Sequence, residues 1–196
     1  LRLHCFAGCQ PKDILASLGA SPAPRASQHY EAIYSYRNRE GYVLYQVVRL
    51  PGKQFRQRRP DPVHPGRWLW DTKGIGLVLY HLPEVEQAVT LHKPIYLVEG
   101  EKDVETLRSI GLVATCNRGG AGKWEDSYTV ELQGAEVIVL PDNDQPGRDH
   151  GALVAGRLRG SVRRLTVLTL PDLPDHGDIT DWIQAGHTRS ELEAFL

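Results

Sequence analysis

The chain has 196 residues, of which 41% are hydrophobic, and its formal net charge at pH 7 is −1. A chain of this length can bury one sizeable core and a smaller lobe. No apolar run approaches the length that crosses a bilayer and no signal peptide is visible, so we expect a soluble, cytoplasmic protein without membrane contact. The near-zero net charge conceals a basic stretch, formed by Arg49, Lys53, Arg56, Arg58, Arg59 and Arg67.

Two cysteines near the amino end, Cys5 and Cys9, follow a histidine on a short glycine-containing segment. This spacing is typical of one half of a zinc ribbon, in which thiolates supply two of four tetrahedral ligands. Two reduced cysteines without a metal are the alternative. A chain that begins at Leu1, contains no methionine and opens inside such a motif is expected to be a fragment. We expect Zn²⁺ to bind only if the other half of the ribbon is present.

The first ninety residues divide into three predicted parts. Residues 1–19 contain the zinc-ribbon remnant and a short helix that starts after Pro11 and ends at Gly19. Residues 20–28 are rich in proline and small residues, which predicts a linker. Residues 29–92 show alternating β-branched and aromatic residues around turn residues, which predicts a small antiparallel lobe.

Residues 93–196 predict an α/β domain, because short apolar runs alternate with helical stretches around a parallel sheet of four strands. The strands are expected at 95–98, 112–116, 137–140 and 165–170, and Cys116 should be buried in the second of them. A helix after Glu99 should end at Gly111. A final helix opens with a capping box of Thr188 and Glu191 and should bury Leu192, Phe195 and Leu196.

Acidic residues follow two of these strands directly. Glu99 comes after the first strand, and Asp142 and Asp144 come after the third. The carboxyl ends of parallel strands meet at one edge of a sheet, so these carboxylates should lie close together. Crowded carboxylates repel one another, whereas a hard divalent cation binds several oxygen ligands. The spacing therefore predicts a site for Mg²⁺ or Mn²⁺ and for phosphate chemistry, with Gly147 allowing the backbone to bend into the next helix.

Further acidic residues lie near this edge. Asp103 is in the first turn of the helix after Glu99, and Asp178 and Asp181 lie in a turn that follows the fourth strand. Asp181 could equally cap the helix that begins near Thr180.

The order strand-Glu-Gly, then Asp-x-Asp, then a third acidic motif resembles the Toprim family, the catalytic domain shared by bacterial-type primases, topoisomerases and some nucleases. Here the matching residues are Glu99 with Gly100, Asp142 with Asp144, and Asp178 with Asp181, over about residues 94–183. The ribbon followed by a helix at the amino end resembles the zinc-binding domain that precedes Toprim in phage and plasmid primases.

The resemblance implies catalytic roles for Glu99, Asp142 and Asp144. In the family the glutamate acts as a general base in polymerisation or a general acid in strand cleavage, and the aspartates hold Mg²⁺. The metal site that the resemblance implies would draw its ligands from Glu99, Asp103, Asp142, Asp144 and Asp178.

Two segments are candidates for contacts with nucleic acid or nucleotides. In the basic stretch, a strand would put Phe55 on one face and much of the positive charge on the other, although a solvated basic edge strand is the alternative. Trp68 and Trp70 are expected in the core of the lobe. The second segment is a glycine-rich loop after Cys116, which departs from a P-loop at Asn117 and Trp124 and could be a simple turn. The candidate binding residues are Lys53, Arg56, Arg58, Arg59, Lys102, Arg118 and Lys123.

These features together predict a Toprim DNA primase of phage or plasmid type, which joins nucleoside triphosphates into RNA primers on single-stranded DNA during replication. A replicative helicase is a further expected partner. The alternatives are a Toprim nuclease, which would use the same carboxylates, and a non-catalytic nucleic-acid-binding fragment. A topoisomerase is disfavoured because no separate domain is visible for a tyrosine nucleophile.

Overall fold

The computed structural model describes residues 29–196, which form two four-stranded sheets. The first sheet is antiparallel with its strands in sequence order, and its strands are β1 (Ala32–Arg37), β2 (Val43–Leu50), β3 (Gln54–Pro60) and β4 (Trp68–Leu69). A hairpin turn closed by the Asn38 side chain, which accepts a hydrogen bond from the Tyr42 amide, joins β1 to β2. The antiparallel lobe expected from the sequence is present.

The second sheet is parallel, in the order β6-β5-β7-β8, and its strands are β5 (Pro94–Leu97), β6 (Val113–Thr115), β7 (Glu136–Val139) and β8 (Arg164–Val167). Its helices are α1 (Leu82–Thr90), α2 (Glu101–Ser109), α3 (Asp126–Glu131), α4 (Gln145–Leu158), α5 (Ile179–Gln184) and α6 (Arg189–Ala194). The predicted α/β class and four-stranded parallel sheet are therefore confirmed. The fourth strand is shorter than the expected 165–170, because it ends at Val167.

Helices cover both faces of the parallel sheet, so alternate residues of its central strands enter two different cores. Ile95 and Leu97 pack with α1, α3 and α4, whereas Tyr96 and Val98 pack with α2, α5 and α6. Strands buried on both faces read as continuous apolar runs, which is why the sequence pattern located them. Helix α1 packs against β5 and β6 of the parallel sheet, and it also contacts the lobe through β1 and through the salt bridge between Arg39 and Glu86.

The antiparallel sheet packs on the α2 side of the parallel sheet through a cluster of buried tyrosines. Tyr36 stacks on Tyr45 with ring centroids 4.5 Å apart, and its hydroxyl donates to Glu101 at 2.8 Å. Tyr80 donates to Glu105 at 2.7 Å, one helical turn further along α2. Two phenol–carboxylate hydrogen bonds thus connect this tyrosine cluster to the helix that begins just after Glu99.

The predicted helix ends agree with the structure except at the carboxyl terminus. Helix α2 is followed by Gly111 at a positive φ of 82°, and Thr188 and Glu191 form the expected capping box of α6. Leu192 is fully buried, but the expectation for Phe195 and Leu196 is wrong, because both lie beyond the end of α6 and remain partly exposed. Cys116 is buried and free, as expected.

The zinc-ribbon remnant with Cys5 and Cys9, the short helix and the linker at residues 20–28 lie outside the described residues. Within residues 29–196, no helix combines the length and the apolar character that a bilayer crossing requires.

Candidate active site

Glu99 lies two residues beyond the end of β5, at the carboxyl edge of the parallel sheet. It is half-buried, and its Oε1 atom is buried without a hydrogen-bond partner among the described residues. Burial raises the pKa of the Glu99 carboxyl, and the negative charge of Asp144 raises it further. A carboxyl group with a raised pKa is suited to accept or donate a proton near neutral pH.

Asp142 follows β7, the neighbour of β5, and shares this edge with Glu99. Burial raises the pKa of Asp142 to about 8, and the charges of Glu99, Asp103, Asp178 and Asp144 add to the rise. A carboxyl surrounded by other carboxyls favours its neutral form unless a cation is close. The electrostatics of Asp142 therefore suit a site that binds positive charge.

The close approach of α4 to this pair depends on Gly147. A Cβ atom at this position would lie 2.6 Å from the Asp142 carbonyl oxygen and 2.7 Å from Glu99 Oε1, which is closer than non-bonded atoms approach. The sequence singled out Gly147 as a bend into the next helix. The structure instead puts it inside the first turn of α4, where it lets the helix pack against both carboxylates.

Asp144 is the N-cap residue of α4 and has a different environment from Asp142. Its Oδ1 accepts a hydrogen bond of 2.7 Å from the Gly147 amide, and its Oδ2 lies 3.2 Å from Nδ1 of His176. These contacts, the Gly147 amide first, lower the pKa of Asp144. Asp144 therefore remains ionised, while Asp142 beside it is poised to bind a proton or a cation. No sequence signal identified His176, which lies in a polar loop.

The third acidic motif is held by a lysine and by helix capping. Lys102 donates to Asp178 Oδ2 at 2.6 Å, and Asp178 caps α5 by accepting from the Asp181 amide at 2.9 Å. Burial alone would raise the pKa of Asp178, but the hydrogen bond from Lys102 lowers it. Asp181 completes a capping box, since its Oδ2 accepts from the Asp178 amide. The possibility that Asp181 has a capping role is thus confirmed.

Asp103 lies in α2 next to this lysine pair. Its Oδ1 accepts a hydrogen bond of 2.6 Å from the Thr180 hydroxyl, and Lys102 Nζ is 3.7 Å away. Burial, which outweighs these contacts, raises the pKa of Asp103. The structure thus joins the start of α2 to the start of α5 through a network of carboxylates, one lysine and one threonine.

The predicted metal ligands lie at the carboxyl edge of the parallel sheet, but their side chains do not surround a common position. Within residues 29–196, no group of three or more His, Cys, Asp or Glu side chains is arranged to hold an ion. The chemistry of the set nevertheless fits a hard divalent cation: Glu99 has an unsatisfied buried oxygen and Asp142 is repelled by other carboxylates. Glu99, Asp142 and Asp144 are the residues that would hold it.

The glycine-rich loop lies against this edge and is fixed by a buried pair, Asn117 and His150. The Gly122 amide donates to His150 Nδ1 at 3.1 Å, so the other ring nitrogen, Nε2, carries the proton and donates to Asn117 Oδ1. The Asn117 amide in turn donates to the Gly120 carbonyl at 2.9 Å. Lys123 of this loop is exposed. The guanidinium group of Arg118, in contrast, lies over the Tyr45 ring, with its central carbon 5.2 Å from the ring centroid.

Strand β3 divides the basic stretch between the two faces of the antiparallel sheet. Arg56 lies over Trp70 at 4.3 Å and Arg58 over Trp68 at 4.5 Å, on the outer face. The expectation that both tryptophans lie in the core is wrong: Trp68 is only partly buried and Trp70 is exposed, because both rings lie on the outer face of the sheet, against the two guanidinium groups. The structure therefore does not bring Arg56 and Arg58 to Glu99.

The inner face of β3 contributes to two cavities next to the acidic edge. The first cavity, of about 310 Å³, is lined by Val47, Phe55, Gln57, Glu99, Gly100, Glu101, Gly119 and Gly120. The second, of about 220 Å³, is lined by Tyr34, Arg49, Lys53, Phe55, Gly100, Glu101, Lys102, Asp103 and Asp178. Lys53 and Lys102 thus lie near the acidic edge, while Arg59 is paired with Asp71 at 2.8 Å. Sequence reasoning missed Gln57 and the cleft-lining position of Phe55.

Comparison with known proteins shows similarity in structure only. No protein-family model matches the chain, and no curated protein matches it by sequence. The primase fragment of the bacteriophage T7 primase-helicase protein superposes with a TM-score of 0.52 at 22% identity, over 82% of this chain and 60% of that one. A DnaG primase catalytic domain bound to single-stranded DNA gives a TM-score of 0.60 at 22% identity, over 83% of this chain and 50% of that one.

A third match is the Aquifex aeolicus primase, solved with its zinc-binding and RNA polymerase domains, with a TM-score of 0.63 at 19% identity over 88% of this chain and 42% of that one. The chain therefore has the fold of DNA primase catalytic cores. It spans 60%, 50% and 42% of the length of these three structures.

Proposed function

We propose that this chain is a primase-type nucleotidyltransferase, which joins nucleoside triphosphates into RNA primers on single-stranded DNA in replication. The observation that carries the proposal is the pairing of Glu99 with Asp142 at the carboxyl edge of the sheet, next to a cleft, in a primase-like fold. The resemblance of the motifs around these residues to the Toprim family supports the same assignment, and the ribbon-like segment with Cys5 and Cys9 is the basis for proposing the phage or plasmid type.

In the proposed reaction, the Glu99 carboxylate accepts the proton of the attacking 3′ hydroxyl group. The 3′ oxygen then forms a bond to the α-phosphorus of the incoming triphosphate, and the bond from that phosphorus to the bridging oxygen breaks, releasing pyrophosphate. The raised pKa of Glu99 suits this role, because a carboxylate becomes a stronger base as its pKa rises.

Asp142 and Asp144 are the proposed ligands of Mg²⁺ or Mn²⁺, with Glu99, Asp103 and Asp178 as further acidic groups around it. When bound, the cation supplies positive charge that neutralises phosphate oxygens. The Gly147 amide and His176 keep Asp144 ionised for this role. The hydrogen bond from Thr180 holds Asp103 in place, and Lys102 holds Asp178.

The positive side chains have separate proposed roles. Lys53 and Lys102 border the second cavity and are proposed to contact template or nucleotide phosphates, as is Lys123 of the glycine-rich loop. Arg56, Arg58, Arg59 and Arg118 remain candidates for phosphate contacts outside the cleft, and such contacts would weaken as salt increases. Cys5 and Cys9 are proposed to bind Zn²⁺ together with ligands supplied by the other half of a ribbon. A replicative helicase is the proposed protein partner.

The test incubates the chain with single-stranded DNA, four labelled ribonucleotides and Mg²⁺ or Mn²⁺. We expect short labelled oligomers, which a double variant with Asp142→Ala and Asp144→Ala fails to make. DNA shortened without new product, again lost in the double variant, would overturn the proposal in favour of a Toprim nuclease. DNA binding that is independent of metal and unchanged in the double variant, with no product, would indicate a non-catalytic fragment.

A further inference from the structure

The cleft beside Glu99 has an aromatic side chain whose exposure the fold does not explain. Phe55 is 53% exposed, although it lies on the inner face of β3, the face that also carries the buried Val47 of β2. Its position opposite Arg49 in the β2–β3 register puts the Arg49 guanidinium over its ring at 5.9 Å. Phe55 borders both cavities next to the acidic edge, so its ring forms part of the boundary between them.

The first cavity joins surfaces of three different kinds around Phe55. The lobe contributes Val47, Phe55 and Gln57, the sheet edge contributes Glu99, and the glycine-rich loop contributes backbone without side chains. A Cβ atom on Gly120 would lie 4.0 Å from the Glu99 carbonyl oxygen, so this loop lies directly against the strand end that carries Glu99. A ligand in this cavity would therefore meet an apolar face, a carboxamide and the proposed catalytic carboxylate at once.

We propose that this cavity is a nucleobase subsite, in which the base of a nucleoside triphosphate stacks on Phe55 while Gln57 binds its polar edge. Stacking on an aromatic side chain suits any base, because every base has a flat π face. The Gln57 carboxamide has both a donor and an acceptor, the pair that forms two hydrogen bonds with the edge of adenine. The inference rests on the proposed function, since it names the part of the nucleotide bound next to Glu99.

The subsite predicts an affinity that resides mainly in stacking on Phe55, to which Gln57 adds hydrogen bonds when the base edge offers an amino donor beside a ring-nitrogen acceptor. Gln57 accepts one long contact, 3.5 Å from the Thr72 hydroxyl to its Oε1, so its amide group is not committed to a strong hydrogen bond there. Replacing Phe55 removes the stacking surface for any base. Replacing Gln57 leaves stacking intact and removes only the hydrogen bonds to the edge of the base.

The first test measures the binding of 2-aminopurine riboside triphosphate by its fluorescence, which falls when the base stacks on an aromatic ring. We expect the wild-type chain to quench the probe, Phe55→Ala to raise the Kd roughly ten- to a hundredfold, and Phe55→Tyr to restore binding. Tyr42→Ala is the matched control, because Tyr42 is an exposed aromatic residue in the β1–β2 turn of the same lobe and lines neither cavity. The Kd of this control should equal that of the wild-type chain.

Competition against the probe with unlabelled ATP and with purine riboside triphosphate, which lacks the 6-amino group, tests Gln57. We expect ATP to compete several-fold better than purine riboside triphosphate with the wild-type chain and equally well with Gln57→Leu. An unchanged Kd in Phe55→Ala, or the absence of quenching by the wild-type chain, would overturn the subsite. Failure of the wild-type chain to make primers would instead overturn the proposed function, while binding that depends on Phe55 would stand.

Discussion

The acidic edge of the parallel sheet has two halves with opposite electrostatic character. Around Glu99 and Asp142 the strongest electrostatic neighbours are other carboxylates, and burial raises the pKa of both groups. Around Asp178 a lysine and a helix N-terminus supply compensating charge and hydrogen bonds. One half is therefore stable without a ligand, and the other becomes more favourable when a cation or a proton arrives.

The difference separates two groups of carboxylates that look alike in the sequence. The half that contains Lys102, Asp103 and Asp178 ties α2 to α5 and so holds the helix that follows Glu99. The half that contains Glu99 and Asp142 contributes little such cross-linking, and no salt bridge within residues 29–196 compensates the charge of these two carboxylates. We expect substitutions in the two halves to change stability in opposite directions.

The largest expected effect comes from Gly147→Ala, which inserts a methyl group between α4 and the Glu99–Asp142 half. Overpacking should lower the free energy of unfolding by ~1–3 kcal/mol. Displacing the carboxylates by about 1 Å should lower primer synthesis on the order of a hundredfold. Thermal unfolding and the synthesis assay measure both effects. Gly156→Ala in the same helix is the control, because a Cβ there meets nothing within 4 Å; equal activity in the two variants would contradict the prediction.

Tyr36→Phe should have the next largest effect, because it weakens the contact between the antiparallel lobe and α2, the helix that follows Glu99 and carries Lys102 and Asp103. It leaves the buried Glu101 carboxylate without the phenol donor at 2.8 Å and should lower the free energy of unfolding by ~1–3 kcal/mol. Tyr45→Phe is matched to it, because the two rings are stacked and the Tyr45 hydroxyl is buried without a hydrogen-bond partner among residues 29–196. Urea unfolding should show a loss for Tyr36→Phe only.

The charge comparison itself is tested by Asp142→Asn and Asp178→Asn in buffer without divalent ions. Asp142→Asn removes a repelled carboxylate and should raise the free energy of unfolding by about 1 kcal/mol at pH 7. Asp178→Asn keeps a capping side chain but loses the charge that pairs with Lys102. It should lower the free energy of unfolding by about 1 kcal/mol. Changes of the same sign in both variants would contradict the division into two halves.

The smallest effect concerns the loop beside Glu99 and depends on pH. Burial lowers the pKa of His150 below its ordinary 6.5, so the folded chain favours the neutral ring that accepts from the Gly122 amide. As pH falls through 6.5, the unfolded chain binds the proton first, and the free energy of unfolding decreases. We expect the thermal midpoint to fall less between pH 7.5 and pH 5.5 in His150→Gln than in the wild-type chain. The substitution itself should lower the free energy of unfolding by about 1 kcal/mol.

Sequence reasoning was successful where one strong local pattern determined the structure. Apolar runs bounded by glycine and acidic residues located the strands before Glu99 and Asp142, since strands buried on both faces carry no polar positions. The capping box of Thr188 and Glu191 was predictable from the sequence for the same reason, because it needs only two residues three positions apart. Both features depend on neighbours in the chain.

The features that sequence reasoning missed depend on residues far apart in the chain. Nothing near Lys102 indicates that it pairs with Asp178, seventy-six positions later, or that Tyr36 reaches Glu101. The tryptophans were misassigned because aromatic residues two apart on a strand share a face without revealing whether that face is inside or outside. Here guanidinium groups cover them on the outer surface.

The short connection between β2 and β3 has a consequence for how this cleft could change in evolution. Residues 51–53 form the turn, with Gly52 and Lys53 at positive φ, and they set the pairing of Leu50 with Gln54. Side chains alternate along a strand, so one residue gained or lost in this turn would exchange Phe55 and Gln57 for arginines at the wall facing Glu99. The length of a three-residue turn thus decides whether the acidic edge faces an aromatic surface or a cationic one.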